Sequence, residues 1–282
     1  MNNDNATQAA PPPEANPFAE RAAEQAAAAE EKKSRSVFSS VTRSRKRRPE
    51  FGVLFGPPGI GKSTLLTKAP NPIYIPCERG LDHITVSKFP RPENIVEFYK
   101  MLLAVQNEEH PYETLVIDTM DGLELLVWDR VCFEGKVKSI EDYAGGYGKG
   151  FTRAREIFTG ILNQLTAISE KTAVWLICHS HMKSVNDPIL GTPYDTYELK
   201  LQTKSVEIVR QMVDLILFGK MEVVINKESP RAKKGRGVVT EDRILYCTPT
   251  TGVEAKNRMN FPDTLDFSYA AIAKAMDEFW SK

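Results

Sequence analysis

Gly56-Pro57-Pro58-Gly59-Ile60-Gly61-Lys62-Ser63, followed by Thr64, carries the spacing G-x-x-x-x-G-K-S, and its chemistry is the grip of phosphate. Glycines let backbone N–H groups turn inward around phosphate oxygens, and the positive end of a following helix adds to the attraction. A lysine at this position reaches β- and γ-phosphates, and a serine hydroxyl at the next ligates Mg²⁺. A chance Gly/Pro turn would match the same letters, so the flanks decide. Phe51-Gly52-Val53-Leu54-Phe55 reads as a buried strand and Thr64-Leu65-Leu66-Thr67-Lys68 as the first turns of a helix. Strand, loop and helix in that order are the context a phosphate loop requires. The residues Gly56 to Thr64 are therefore expected to bind a nucleoside triphosphate.

Two carboxylates stand where such a site needs them. Leu115-Val116-Ile117-Asp118 is an apolar strand ending in an acid. A strand beside the phosphate loop would let Asp118 support the Mg²⁺ shell held by Ser63; the alternative is a cap for the helix beginning near Asp121. Ile73-Tyr74-Ile75 leads into Pro76-Cys77-Glu78, which sets Glu78 at the C-terminal end of a strand, the edge where ligands bind in parallel sheets. Glu78 there is a candidate base for the attacking water, or else an exposed loop acid paired with Arg79. Spacing alone leaves both readings open.

The elements that must position these residues alternate. Strands are expected at Gly52–Phe55, Ile73–Cys77, Thr114–Asp118, Ala173–Cys178 and Val213–Phe218, and helices after Lys62, over Glu93–Gln106, from near Asp121 and over Arg153–Ser169. In the last of these, Ala154, Ile157, Phe158, Ile161, Leu162, Leu165 and Ile168 recur at helical spacing and form one apolar stripe. Beyond Gly219, Met221–Asn226 and Arg243–Thr248 flank a Lys/Arg/Gly loop and read as a hairpin, and a closing helix starts from Asp266. The fold class is α/β: a mostly parallel sheet flanked by helices.

With 282 residues, 41% hydrophobic and 26% charged, the composition is that of an ordinary globular chain. No apolar stretch spans a membrane and the start lacks a signal peptide's apolar core, so a cytoplasmic protein with no membrane partner is expected. Cys77, Cys132, Cys178 and Cys247 are scattered singly, which fits a reducing compartment. The formal net charge is zero, yet eight basic residues and no acidic one lie between Lys32 and Arg48. Residues 1–48 read as a disordered leader ending in this basic arm, and residues 49–282 as the folded domain. The arm is either a nucleic-acid contact or a solvated leader.

The order of phosphate loop, strand ending in Glu78 with Leu81-Asp82 beyond it, strand ending in Asp118, and polar strand end Cys178-His179-Ser180-His181 resembles the RecA-type ATPase core of recombinases. That resemblance implies ATP and Mg²⁺ as cofactors and Glu78 as the catalytic base. Glu254-Ala255-Lys256-Asn257-Arg258 is similar to the family's segment that enters a neighbouring subunit's ATP site. It implies that Lys256 and Arg258 act in trans, within a ring or filament of like subunits. More closely, the chain resembles compact ATP-binding proteins of bacteriophages associated with single-strand annealing and recombination. This implies single-stranded DNA as a partner, a phage single-strand-binding or replication protein as a further one, and the bacterial host cytoplasm as location.

Two departures matter. The family's switch residue is usually Gln, whereas His179 or His181 stands here; a neutral imidazole at His179 would sense the γ-phosphate by a hydrogen bond. Cys178, His179 and His181 also raise zinc, though without evident further ligands. By the resemblance, Glu134–Gly150, with Tyr143, Tyr147 and Lys149, and Met182–Thr203 fall where the family's DNA-binding loops lie, or else are plain mobile loops; Arg231, Lys233, Lys234 and Arg236 form a further basic patch or a solvated hairpin tip. A rival function is a nucleotide-gated loader or regulator of a replication or packaging machine, with little turnover of its own.

Overall fold

The computed structural model describes residues 37–43, 46–186, 191–226 and 236–281. The chain divides into two units, residues 1–46 and 47–282. In the first, Val37–Ser40 form a 3₁₀ turn, while Lys32, Lys33, Arg35 and Arg45 of the basic arm lie outside the described residues.

In the second unit the apolar run Phe51–Gly56 forms β1, buried along its whole length, as a strand with neighbours on both sides and helices on both faces must be. The further elements are α1 (Lys62–Leu66), β2 (Pro72–Pro76), β3 (Ser87–Lys88), α2 (Ile95–Asn107), β4 (Thr114–Asp118), α3 (Met120–Gly135), α4 (Lys149–Ile168), β5 (Ala173–Asn186), β6 (Pro193–Leu199), α5 (Thr203–Met212), β7 (Leu215–Asn226), β8 (Arg236–Tyr246), β9 (Lys256–Asn257), β10 (Thr264–Asp266) and α6 (Tyr269–Trp280). The sheet order is β10-β8-β7-β1-β5-β4-β2-β3. From β7 to β3 every neighbour is parallel, and β8 and β10 complete it antiparallel. The expected α/β architecture, with a terminal hairpin and closing helix, is the one observed.

Each face of the sheet has its own core. Phe98, Val127, Phe158, Ile161 and Leu165, from α2, α3 and α4, cover one face; Leu65, Leu66, Ile272 and Met276, from α1 and α6, cover the other around Trp175. The stripe read on α4 is the buried one, with Ile157 half-buried at its margin.

Three elements differ from expectation. Helix α1 ends after five residues, because Ala69-Pro70-Asn71-Pro72 follows and proline cannot donate the helix hydrogen bond. Strand β5 does not stop at Cys178 but continues to Asn186, since Ser180–Asn186 pair with β6. Met182–Thr203, expected as a loop, thus holds the end of one strand, a second strand and the start of α5. Likewise β7 is one strand from Leu215 to Asn226, with a register shift between Met221 and Val223, where a strand and a separate hairpin arm were expected. The hairpin tip with Arg231, Lys233 and Lys234 lies outside the described residues, and Arg236 begins β8. Among the described residues no helix is long and apolar enough to cross a membrane.

The start of β7 is held by charge. Asp214 is buried and accepts two hydrogen bonds of 2.8 Å from Arg48 and one of 3.2 Å from Arg258. Arg47 pairs with Asp277 of α6 at 2.7 Å. The last two residues of the basic arm are therefore fold contacts. An Asp214→Ala variant is expected to lose about 2 kcal/mol of stability, the order for charge-assisted hydrogen bonds to a buried carboxylate. Urea unfolding with an unchanged m-value would show it; an unaltered midpoint would remove the pair from the account of stability.

Candidate nucleotide site

Gly56 ends β1, and the chain turns through Pro57–Gly61 into α1. Gly61 takes φ 101°, a left-handed conformation that favours glycine. A Cβ on Gly56 would fall 2.4 Å from the carbonyl oxygen of Gly219 on β7, so the loop can leave the sheet here only without a side chain. Pro58, Gly59 and Thr64 are exposed, and Ile60 is buried beneath the loop. Lys62 is only 5% exposed. Its Nζ donates to the carbonyls of Gly56 at 3.0 Å and Pro57 at 3.1 Å, which folds the ammonium back over the loop. Burial lowers its pKa, against the pull of Cys178, Asp118, Asp121 and Glu78.

Asp118 lies at the end of β4, two strands from β1. The register aligns Asp118 with Ile177 of β5 and Gly56 with His179, so the two strand ends lie two residues apart along β5. The Ser63 hydroxyl then donates to Asp118 Oδ2 at 2.6 Å, while Tyr74 of β2 donates to the Ser63 carbonyl at 2.9 Å. Burial pushes the Asp118 carboxyl up to about 6, although Ser63 and Lys62 pull it down. A buried carboxylate and a hydroxyl in contact, both oxygen donors, suit a hard cation such as Mg²⁺. Ser63 and Asp118 thus fit the metal expected of them.

On the same side of β1 as Asp118, three further polar groups converge. Glu78 follows β2, Asp121 opens α3, and His179 lies where β5 passes Gly56; one ligand atom from each lies within 4.8 Å of the others. Asp121 Oδ2 accepts from His179 Nδ1 at 2.8 Å, and its Oδ1 accepts from the His179 amide at 3.2 Å. Burial opposes the charge on Asp121, but these bonds outweigh it and hold the carboxyl below its ordinary value. Asp121 is thus an ionised acceptor and Nδ1 carries a proton. In the neutral ring Nε2, 3.9 Å from Glu78 Oε1, is then an acceptor only. A hydrogen bond from His179 to a γ-phosphate oxygen would have to come from Nε2, since Nδ1 is engaged with Asp121.

Zinc gains no ground. Cys178 is buried in the apolar core, and burial raises its thiol well above the ordinary value. His181 sits on the β5–β6 hairpin opposite Glu198. The convergent group omits both.

Lys256 and Arg258 lie at the opposite end of the sheet from their own phosphate loop. Strand β9 pairs with Leu215 and Ile216, at the start of β7. Lys256 Nζ donates to the Arg210 carbonyl, and Arg258 donates to Asp214 and to the Gln211 carbonyl at 3.1 Å. One protomer therefore does not bring this pair to its own phosphate loop. Of the segment proposed near DNA, Tyr143 packs against Gly135 and the core and Lys149 donates to the Ala144 carbonyl at 3.0 Å. Tyr147, 99% exposed, is the aromatic group that faces solvent.

The sequence did not mark Asp121 as a partner of His179; its signal is a second acid just past the end of β4, in the first turn of α3. Nor did it mark Arg243, whose Nη1 donates to the Ile60 carbonyl at 3.1 Å across a separation of 183 residues. No local pattern marks such a contact.

A family model described as an AAA domain matches residues 48–259. An SPbeta prophage-derived uncharacterized protein, YorG, of Bacillus subtilis (strain 168) is 25% identical over 99 residues. That alignment takes in 34% of this chain and 31% of the relative, so the chain spans about a third of the relative's length.

Because the Asp118 carboxyl is raised, the folded state holds its proton more tightly than the unfolded state does. Stability contributed here is present below about pH 4 and is lost as pH rises to about 6. Asp118→Asn is expected to be more stable than the wild type at pH 7.5 without metal, by about 2–3 kcal/mol. The two should converge near pH 4. Urea midpoints in EDTA at both pH values test this; equal midpoints at pH 7.5 would contradict it.

Proposed function

The chain belongs to the AAA domain family, and on that premise we propose that it is a Mg²⁺-dependent ATP hydrolase of RecA type that binds single-stranded DNA in phage recombination or annealing. The observation that carries the hydrolytic reading is the convergence of Glu78, Asp121 and His179 beside a phosphate loop whose Ser63 already bonds Asp118. In this reading Lys62 takes β- and γ-phosphate oxygens. Ser63 and Asp118 hold Mg²⁺, which when bound draws off charge from the phosphates. Glu78 accepts the proton of the attacking water. Asp121 fixes the His179 ring beside Glu78, at the γ-phosphate end of the site.

The DNA and phage parts rest on the resemblance to phage ATP-binding proteins and on the prophage origin of one relative. Tyr147 offers an open ring for stacking on an unpaired base. Lys256 and Arg258, remote from their own loop, suit a residue pair that serves a neighbour's site in a homo-oligomer.

A second reading has one observation in its favour. Lys256 and Arg258 are both bonded within the protomer, to Arg210, Gln211 and Asp214. Residues so engaged suit a nucleotide-gated loader or regulator with little turnover.

Glu78→Gln is expected to keep ATP affinity and lower turnover by about 10²–10⁴-fold; wild-type turnover would take Glu78 out of the mechanism. Single-stranded DNA is expected to stimulate the wild-type rate, whereas a flat, low rate favours the loader.

The shared site has its own test. Lys62→Ala and Lys256→Ala/Arg258→Ala subunits, each inactive alone, should regain activity when mixed, since some interfaces then hold an intact loop and an intact pair. No recovery would assign the pair to the fold of one subunit.

A further inference from the structure

The sheet order sets the direction in which a nucleotide must lie. The phosphate-end groups, Asp118, Glu78, Asp121 and His179, come from β4, β2, α3 and β5, all on one side of β1 or helical to that side. On the other side stand β7, β8 and β10. Two side chains from that side meet the phosphate loop. Arg243 of β8 donates to the Ile60 carbonyl, and its Nη1 would lie 2.9 Å from a Cβ on Gly61. The ring of Phe267, just beyond β10, would lie 3.6 Å from the same Cβ and 2.5 Å from one on Gly219.

The two side chains are coupled. The Phe267 amide donates to the Arg243 carbonyl at 3.2 Å, so one backbone link sets guanidinium and ring side by side. Arg243 is exposed, and among the described residues its guanidinium has one hydrogen-bond acceptor, Ile60. A guanidinium carries five N–H donors, far more than one carbonyl uses. An aromatic ring and a donor fork at the lip of a phosphate loop form a surface for a flat, acceptor-rich group. Glycine at position 61 leaves that surface open, because a side chain there would occupy the space both groups border.

We propose that Arg243 and Phe267 form the nucleoside-end subsite: Phe267 packs against the base or sugar, and Arg243 donates to an acceptor on the base edge or ribose. The phosphate tail runs from this lip toward His179 and Glu78. This rests on the reading of Gly56–Ser63 as a nucleotide site and adds to it the end that site does not describe.

Inorganic tripolyphosphate separates the two ends, since it has the phosphates and lacks the nucleoside. In a Glu78→Gln background, calorimetric titration with ATP and with tripolyphosphate is run on Arg243→Ala, Phe267→Leu and the parent. The expected result is that Arg243→Ala weakens ATP about tenfold, as loss of a charge-assisted contact does, and leaves tripolyphosphate within about twofold. Phe267→Leu keeps an apolar side chain at the edge of the core and should weaken ATP alone, because base stacking needs the ring. Equal losses for both ligands would overturn the proposal and make Arg243 a brace for the loop. Unchanged ATP affinity in Arg243→Ala would overturn it as well. A parent protein that binds tripolyphosphate and ATP equally would overturn the subsite while leaving the phosphate loop intact. A parent that binds neither would overturn the nucleotide reading itself.

Discussion

Parallel pairing of β1, β5 and β4 in one register is the constraint on which the rest depends. Side chains alternate across a strand, so a slip of one residue would exchange every inward group for an outward one. With Asp118 opposite Ile177 and Gly56 opposite His179, the ends of β4 and β1 lie within two residues of each other along β5. The Ser63–Asp118 bond of 2.6 Å is the visible result. The same register seats Trp175 beneath Gly52, where a Cβ would meet the indole ring at 2.7 Å. The bare backbone of Gly52 leaves room for that ring between two paired strands. The core thus fixes the site by volume as well as by hydrogen bonding.

Much of this was legible in the sequence because its signals are local. The phosphate loop declares itself by glycine spacing, β4 by an apolar run ending in an acid, and α4 by a 3.6-residue stripe. What was not legible is non-local. Nothing near Cys178 says that β5 will continue to Asn186; the reason is β6, whose pairing residues alternate weakly and lie beyond the strand's own apolar core. The role of Asp121 needs β5 to arrive with His179. Arg243 needs the order of the sheet, which no window of sequence contains. His179 shows the same limit in another form: residue type suggested a hydrogen-bonding ring, but its useful proton state depends on a carboxylate 58 residues away.

Charge is arranged by end. At the phosphate end, Asp118, Glu78, Asp121 and Lys62 share a small volume, and burial works against the ionised Asp118. At the opposite end, Asp214 is satisfied by two arginines from distant parts of the chain, Arg48 and Arg258. One end is built for stability and leaves its buried carboxylate fully paired. The other keeps a buried carboxylate whose cost a bound dication would offset. A formal net charge of zero conceals this division.

The sheet is broad, yet its outermost described strands are the two-residue β3 and the three-residue β10. Long unpaired edges invite other chains to add a strand, and short ones offer almost no backbone to pair with. Longer edges belong to β6, whose strand partner is β5, and to the part of β8 that runs beyond β10. A chain adding a strand to this sheet would find backbone to pair with along those two arms and almost none at β3.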